Sequence, residues 1–252
     1  MEILKYKKIN NYEYEVALDN GSKLKLYDEI ILKYGLLLNK DLDFKTLTLI
    51  TKKNAGLDAY YLALKYLSKK MRSRLEIEHY LAQKQYPLKT INQTIIRLED
   101  KGYLNEKQFI KSFINDQLTL TNHGPIKIKY QLVKLGVPEE LIDINADFSE
   151  KLQYLINKKV KLNHKLNTNA LKNNITNYLI NLGYEKEMFT PYLDSISTND
   201  QALIKKDYQL LVNKYQKKYP ANKLNLFIKD KLYRKGYSAE EINEVIKCEE
   251  EY

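Results

Sequence analysis

One apolar pattern occurs four times along the chain, at intervals of roughly 50 residues. Each copy reads Ile, Leu four positions later, Gly four positions after Leu, then an aromatic residue or Val, and an apolar residue five positions further on. The copies are Ile77-Leu81-Gln85-Tyr86-Ile91, Ile128-Leu132-Gly136-Val137-Ile142, Ile175-Leu179-Gly183-Tyr184-Phe189 and Ile228-Leu232-Gly236-Tyr237-Ile242, with Gln in the Gly position of the first. Repeats of this length bury their core against their neighbours and present a long surface to an extended partner, so the pattern predicts a tandem array.

The periodicity from residue 57 onward is helical, and each copy of the pattern fits a unit of three helices. First helices carry apolar side chains at i, i+3, i+4 and i+7, as at Tyr60, Ala63, Leu64 and Leu67. The Ile and Leu of the pattern lie one turn apart on one face of a second helix. The Gly is expected to end that helix in the left-handed conformation, and the next residue folds back onto it. We therefore predict that the pattern forms core and carries no chemistry.

Helix start signals agree with this division. Capping boxes, in which Ser and a Glu three positions later bond each other's backbone N–H, begin at Ser73 and Ser238. Proline is accepted at a first helical position, which places second helices at Pro125 and Pro220 and third helices at Pro87 and Pro138. The four predicted three-helix repeats are 57–103, 104–146, 147–197 and 198–250.

Residues 1–56 form a different, smaller module. Two alternating runs, 12–18 and 23–27, are joined by Asp19-Asn20-Gly21-Ser22, a strong β-hairpin signal. A third strand at 3–6 and short helices near 28–34 and 44–53 complete it. The predicted fold class is mainly α: an elongated, curved array of four three-helix repeats, preceded by this β-hairpin module.

The chain carries a formal net charge of +10. An excess of this size favours a polyanionic partner, such as nucleic acid or an acidic protein surface. Lys is abundant, whereas Arg occurs only at Arg72, Arg74, Arg97 and Arg234. Because that bias is typical of an AT-rich genome, compositional drift on solvated helix faces is a competing explanation for much of the excess.

The sequence lacks the usual marks of an enzyme or a metal site. The single cysteine, Cys248, allows no internal disulfide, and His79, His123 and His164 lie far apart. No Gly-rich phosphate loop or Gly-x-Ser-x-Gly elbow is present. No apolar run reaches the length of a membrane span, and the amino terminus lacks the apolar core of a signal peptide. We expect a soluble, cytosolic protein without enzyme activity, cofactor, metal, membrane partner or small-molecule substrate.

Basic residues around the second helices are the candidate contacts to a polyanion. Aligned along successive second helices, they are expected to form a basic ridge that tracks a polyanion through its backbone. The candidates are Lys69, Lys70, Arg72, Arg74, Lys127, Lys129, Lys134, Lys229, Arg234 and Lys235. The alternative for Arg72 and Arg74 is a structural one, in which they pair with Glu76, Glu78 or Asp58 to fix helix contacts.

Several segments, in order and at matching spacing, resemble the RecX family, which regulates the RecA recombinase. They are Ala63-Leu64-Lys65-Tyr66-Leu67-Ser68, Arg72-Ser73-x-x-Glu76, Leu98-Glu99-Asp100-Lys101-Gly102-Tyr103-Leu104-Asn105-Glu106-x-x-Phe109, and Gly124-Pro125 leading to Leu132-x-x-x-Gly136-Val137. The first two repeats carry this resemblance, and the remaining parts look like longer members from Gram-positive bacteria. The resemblance implies an array that lies along the groove of the RecA nucleoprotein filament and limits its extension, strand exchange or coprotease activity. Some members of the family also bind DNA directly.

The resemblance carries Arg72, Ser73 and Glu76 over as one signature, and Gly124 and Pro125 as a second. The family usually has basic residues just before Gly-Pro, but this chain has Leu120-Thr121-Asn122-His123 there. That departure moves the expected basic contact to Lys127 and Lys129.

Two other functions remain open from the sequence. A tandem DNA-binding protein of helix-turn-helix type would read bases with its third helices. Asn92, Gln93 and Arg97 allow this in the first repeat, whereas Glu139 and Glu140 oppose it in the second. A helical scaffold that binds only a protein partner is the other alternative.

Overall fold

A computed structural model describes residues 1–250, except for the side chains of residues 221, 222, 249 and 250. The chain is mainly helical and begins with a three-stranded antiparallel sheet of order β1-β2-β3, so the predicted mainly α class with an N-terminal β-hairpin module is confirmed. The strands are β1 (Ile3–Lys8), β2 (Glu13–Leu18) and β3 (Lys23–Tyr27), and the α-helices are α1 (Asp28–Lys33), α2 (Phe44–Ala55), α3 (Asp58–Leu67), α4 (Arg74–Gln83), α5 (Leu88–Asp100), α6 (Glu106–Leu120), α7 (Pro125–Lys134), α8 (Ser149–Lys161), α9 (Thr168–Leu182), α10 (Lys186–Asp194), α11 (Asp200–Tyr215), α12 (Ala221–Arg234) and α13 (Ala239–Glu250).

The chain divides into two compact units. Unit 1 comprises Met1–Phe113 and Leu132–Leu141, and unit 2 comprises Ile114–Gln131 and the chain from Ile142 onward. The boundaries of the four repeats expected from the sequence stay a prediction.

The N-terminal module is a hairpin-based sheet packed on two helices. The predicted hairpin forms between β2 and β3, and β1 pairs with β2 as the third strand. Val16, Leu26 and Ile50 are buried at its centre. The open edge of β3 is closed by Asn54 of α2, whose side chain accepts from Tyr27 N at 2.8 Å and donates to Lys25 O at 2.9 Å. This amide takes the place of a neighbouring strand, so the edge presents fewer unpaired groups.

Two tyrosines join this module to the first repeat within unit 1. The rings of Tyr27 and Tyr61 stack with centroids 4.1 Å apart. The Tyr27 hydroxyl donates to Asp58 at 2.9 Å, and the Tyr61 hydroxyl donates to Asp28 at 2.8 Å. Burial and then these carboxylates raise the pKa of both phenols, so each remains a protonated donor at neutral pH.

The repeated apolar pattern forms the core, as predicted. The Ile and Leu positions of all four copies are fully buried, with a relative exposure of 0%, at Ile77, Leu81, Ile128, Leu132, Ile175, Leu179, Ile228 and Leu232. Their spacing of one helical turn puts each pair on the same inward face, which explains why the pair recurs.

Left-handed turns end the second helices. The φ angles of Gly136, Gly183 and Gly236 are +85°, +88° and +97°. The residue after each Gly returns its N–H to the carbonyl of the buried Leu, as Tyr184 N does to Leu179 O at 3.1 Å, and its side chain is buried. This is the Schellman arrangement that the sequence predicted. In the first copy Gln85 takes the same conformation, with φ of 63°.

The second repeat lacks the third α-helix that was predicted to begin at Pro138. The structure has a single 3-10 turn at Glu139–Leu141, followed by irregular chain up to the residue before α8. In that stretch Ile142 and Ile144 alternate with Asp and Asn, and such residues favour extended or turn conformations over a helix. Ile142 is only partly buried as a result.

We predict that Gln85→Gly raises the free energy of unfolding by about 0.5–1 kcal/mol, because the strain of a left-handed L-residue outweighs the greater entropy loss of Gly. Urea unfolding monitored by circular dichroism measures this change. The matched control is His79→Gly, at an exposed interior position of α4, which should lower the free energy of unfolding by about 1 kcal/mol. A loss of stability in both variants would contradict the assignment of strain to Gln85.

Candidate functional site

Arg72, the first residue of the family signature, is held by its own neighbours at the start of α4. Its Nη1 donates to Glu76 Oε1 at 2.9 Å, and its guanidinium lies 4.1 Å from the centroid of the Tyr66 ring. Tyr66 in turn stacks on Tyr80 with centroids 4.0 Å apart. The Arg72 side chain is only 15% exposed, so most of its surface is unavailable to a partner.

The rest of that signature is a helix cap. Ser73 Oγ accepts from Glu76 N at 3.1 Å, and Glu76 Oε2 accepts from Ser73 N at 2.9 Å. The predicted capping box is therefore confirmed. Since Glu76 binds both Arg72 and the backbone of Ser73, the three signature residues form one connected group that fixes the entry of the chain into α4.

Arg74 also contacts carboxylates within unit 1. Its Nε lies 3.0 Å from Glu78 on the same helix, and its Nη1 lies 3.3 Å from Glu99 on α5. Its side chain is half exposed, which limits the contribution of each pair to stability. The structural alternative considered for Arg72 and Arg74 thus matches the contacts observed, and their role in binding stays a prediction.

The second signature, Gly124-Pro125, lies at a junction between two helices of unit 2. Gly124 N donates to Leu182 O at 2.7 Å, and Ile126 N donates to Gly183 O at 3.1 Å. N–H groups at the start of α7 therefore donate to carbonyls at the end of α9. Backbone groups that lack a partner within their own helix thus satisfy each other. A Cβ on Gly124 would lie 2.5 Å from Gly183 O, so only glycine allows this approach.

The same kind of junction occurs between α9 and α12 in unit 2. Asn167, the N-cap of α9, donates from Nδ2 to Lys235 O at 3.0 Å, and Asn169 donates to Gly236 O at 3.0 Å. A Cβ on Gly236 would lie 3.2 Å from Asn167 Oδ1. In this case side-chain amides replace the backbone donors that Gly124 and Ile126 supply.

A third junction of this type lies in unit 1. A Cβ on Gly136, at the end of α7, would lie 2.8 Å from the Cβ of Leu75 in the first turn of α4. Glycine is therefore required in the repeated pattern for two reasons. It adopts the left-handed φ, and its lack of a Cβ allows the start of another helix to approach closely.

His123 supplies little positive charge beside Gly124-Pro125. Its Nδ1 lies 2.8 Å from Gln117 Oε1. Burial, followed by repulsion from Lys127 and Lys151, lowers the pKa of His123 and favours the neutral ring. The sequence did not identify Lys151, whose Nζ donates to the carbonyls of Leu118 and Thr121 at the end of α6. Lys151 thus places a partly buried cation against a helix C-terminus, where the macrodipole favours it.

The remaining predicted basic residues fall into three groups. Several contact other parts of their own unit: Lys70 approaches Glu76, Arg234 pairs with Asp230, Lys235 pairs with Asp207, and Lys127 Nζ lies 3.5 Å from Asn181 O. Lys129 is partly buried. Lys69, Lys134 and Lys229 are exposed. These ten residues stay predicted contacts, and they belong to both units.

The described residues contain no group of His, Cys, Asp and Glu that could hold a metal ion. Within residues 1–250, no helix is long and apolar enough to cross a bilayer. The best-formed polar arrangements are therefore the helix junctions and caps described above, which position backbone and do not assemble reacting groups.

Comparison with known proteins points to one family. A family model described as "RecX, first three-helix domain" matches residues 59–98. The Regulatory protein RecX of Streptococcus agalactiae serotype Ia is 29% identical over 246 residues, which cover 93% of this chain and 94% of that protein. The Regulatory protein RecX of Oceanobacillus iheyensis is 25% identical over 230 residues, covering 87% and 85%. A crystal structure of regulatory protein RecX aligns over 98% of both chains with 18% identity and a TM-score of 0.46, an agreement too loose to support an argument.

We expect Arg72→Ala to lower the free energy of unfolding by about 1–3 kcal/mol, because it removes a charged hydrogen bond from Glu76 and a cation from the face of Tyr66. Denaturant titration measures the change. Lys69→Ala, at an exposed position three residues earlier, is the control and should stay within about 0.5 kcal/mol of the wild type. Equal stability of the two variants would show that Arg72 has no structural role.

Gly124→Ala is expected to lower the free energy of unfolding by about 1–3 kcal/mol, because the added Cβ overlaps the Gly183 carbonyl. Gly56→Ala is the matched control, since Gly56 has a φ of −68° and ends α2 away from any such junction. That control should change stability by less than about 1 kcal/mol. Thermal unfolding of both variants measures the difference, and a neutral Gly124→Ala would mean that the junction opens at little cost.

Proposed function

The chain belongs to the RecX family of regulatory proteins, and on that premise we propose that it regulates a RecA recombinase, chiefly as an inhibitor. The proposed partner is the RecA–DNA filament, bound along its groove, with direct contact to DNA as part of the interaction. The proposed effects are changes in ATP hydrolysis, strand exchange and coprotease activity.

The observation that carries this proposal is the near full-length similarity to proteins named Regulatory protein RecX. The similarity extends over 93% of this chain and 94% of the Streptococcus agalactiae protein, so it includes the later repeats as well as the segment matched by the family model. A regulator that acts through binding needs no catalytic group, which agrees with the roles of Arg72, Ser73 and Glu76 as a helix cap.

Affinity for a filament is expected to come from several weak contacts. Contacts made by separate repeats of one chain add through effective concentration, so no single residue needs to dominate. Exposed lysines that project into solvent, such as Lys69, Lys134 and Lys229, are better suited to this role than Arg72.

The helix-turn-helix alternative receives no support from the geometry. Arg97, the basic residue expected to read bases from α5, binds Glu29 and lies 4.0 Å from the centroid of the Tyr60 ring. The predicted third helix of the second repeat is only the turn Glu139–Leu141. A recognition helix needs an outward face of free polar side chains. The second repeat has no such helix, and α5 keeps Lys89, Asn92 and Gln93 exposed but has its Arg in an ion pair with Glu29.

We predict that the chain lowers the rate of ATP hydrolysis by RecA on single-stranded DNA at substoichiometric amounts. A coupled spectrophotometric assay measures the rate. Simultaneous Lys69→Glu, Lys134→Glu and Lys229→Glu should weaken inhibition by on the order of tenfold, because three attractive contacts become repulsive.

The matched control reverses three exposed lysines of the N-terminal module, Lys7→Glu, Lys8→Glu and Lys40→Glu, with the same change of net charge. That control should inhibit like the wild type. Unchanged ATP hydrolysis at equimolar wild-type chain would refute the proposed function, and equal weakening by both triple variants would refute the assignment to the second helices.

A further inference from the structure

The third predicted repeat contains a long basic stretch without any acidic residue. Residues 151–184 include no Asp or Glu, whereas the whole chain has 32 in 252 residues. The stretch carries Lys151, Lys158, Lys159, Lys161, Lys165 and Lys172. Compositional drift explains a Lys in place of an Arg, but it does not explain a run of residues without a carboxylate that includes α8 after its first turn and all of α9.

The structure places these lysines on α8, α9 and the loop between them, all in unit 2. Tyr154, Lys158 and Lys161 are exposed and lie at i, i+4 and i+7 of α8, so they share one face of the helix. Lys165 is exposed in the loop that follows. The Tyr154 side chain is 61% exposed, which leaves much of its ring open to solvent.

A cavity of about 370 Å³ lies beside this face. Lys158, Lys159 and Asn174 line it together with Tyr178. Lys159 Nζ lies 4.3 Å from the centroid of the Tyr178 ring, and Lys158 Nζ lies 6.0 Å from that of Tyr154. Cationic groups and aromatic rings therefore lie side by side on this surface, a combination that proteins use to bind single strands.

These lysines differ in one respect from four of the basic residues that the sequence singled out. Arg72, Arg74, Arg234 and Lys235 each pair with a carboxylate of their own unit. Among the residues that the structure describes, Lys158 and Lys159 have aromatic rings as their partners and form no ion pair. Because no carboxylate neutralises them, their charge is available to an anion in solution.

We propose that the surface formed by Tyr154, Lys158, Lys159, Lys161, Lys165, Lys172 and Tyr178, here called the Lys–Tyr face, binds single-stranded nucleic acid. The lysines would neutralise successive phosphates, and the two tyrosines would stack against bases. Stacking requires unpaired bases, so the exposed ring of Tyr154 favours a single strand over a duplex. The inference rests on the proposed function, since a regulator of a DNA-bound recombinase meets nucleic acid in its filament.

The test is fluorescence anisotropy of a labelled oligothymidylate of about 20 nucleotides, long enough for several contacts, titrated with the full chain. Simultaneous Lys158→Gln, Lys161→Gln and Lys165→Gln should weaken binding by on the order of tenfold or more at about 50 mM salt and lower the slope of log affinity against log salt by about 2. Tyr154→Ala should weaken binding about fivefold or more with an unchanged slope, because it removes stacking and no charge.

The matched control for charge is Lys205→Gln, Lys206→Gln and Lys217→Gln, three exposed lysines elsewhere in unit 2. Tyr103→Ala, at another exposed ring, is the control for Tyr154→Ala. Both controls should bind like the wild type. Equal losses in the two lysine variants, or equal losses in the two tyrosine variants, would overturn the Lys–Tyr face as the site.

Polyglutamate of matched charge separates nucleic acid from an acidic protein as the occupant. It has no bases to stack, so it should displace the oligonucleotide poorly; displacement at equal charge concentration would overturn the nucleic-acid assignment. Inhibition of RecA ATP hydrolysis is measured in parallel. Wild-type inhibition without oligonucleotide binding would refute this inference alone, whereas binding without inhibition would refute the proposed function and leave the Lys–Tyr face in place.

Discussion

Close contact between the start of one helix and the glycine turn that ends another is the interaction on which the helical repeats depend. At Gly124 the free N–H groups of α7 meet the free carbonyls of α9, and the opposite ends of two helix dipoles face each other. The carbonyls of Leu182 and Gly183 are thus satisfied by backbone donors at the start of α7. The buried Ile and Leu of each repeat fill its own core, but these junctions determine which helix end packs on which.

The family signatures acquire a structural meaning from these contacts. Arg72, Ser73 and Glu76 fix the entry to α4, while Gly124 allows backbone to approach backbone. Residues with such structural roles identify the fold, but they do not identify the surface that binds a partner. Contacts to a polyanion depend on net charge and reach more than on exact position, so they can move from one repeat to another while the signatures stay. The proposed Lys–Tyr face, in a repeat that carries neither signature, is consistent with this separation.

Much of the scaffold was predictable because it follows from local rules. Helical spacing identified the buried Ile and Leu pairs, the Ser73 and Ser238 caps follow capping-box chemistry, and Asn20-Gly21 predicted the hairpin. The sequence predictions failed where the structure depends on the surrounding residues and not on one local signal. Pro138 is an acceptable helix start, but the residues after it do not sustain a helix. The ion pair of Arg74 with Glu99 joins residues 25 positions apart, which no local pattern reveals. The scarcity of Arg favoured the segments that contain it as candidate sites. Residues 151–184 contain no Arg and are distinguished instead by the absence of Asp and Glu.

Gln85 occupies the glycine position of the first repeat and is exposed. At Gly183 even a Cβ would lie 2.5 Å from Lys127, so a turn with a longer side chain cannot accept another helix start in that manner. The turn at Gln85 in the first repeat therefore cannot form the close junction seen at the glycine turns of the other repeats. Replacement of glycine at this one turn thus leaves the first repeat without the means to receive a further helix start, at the cost of one strained residue.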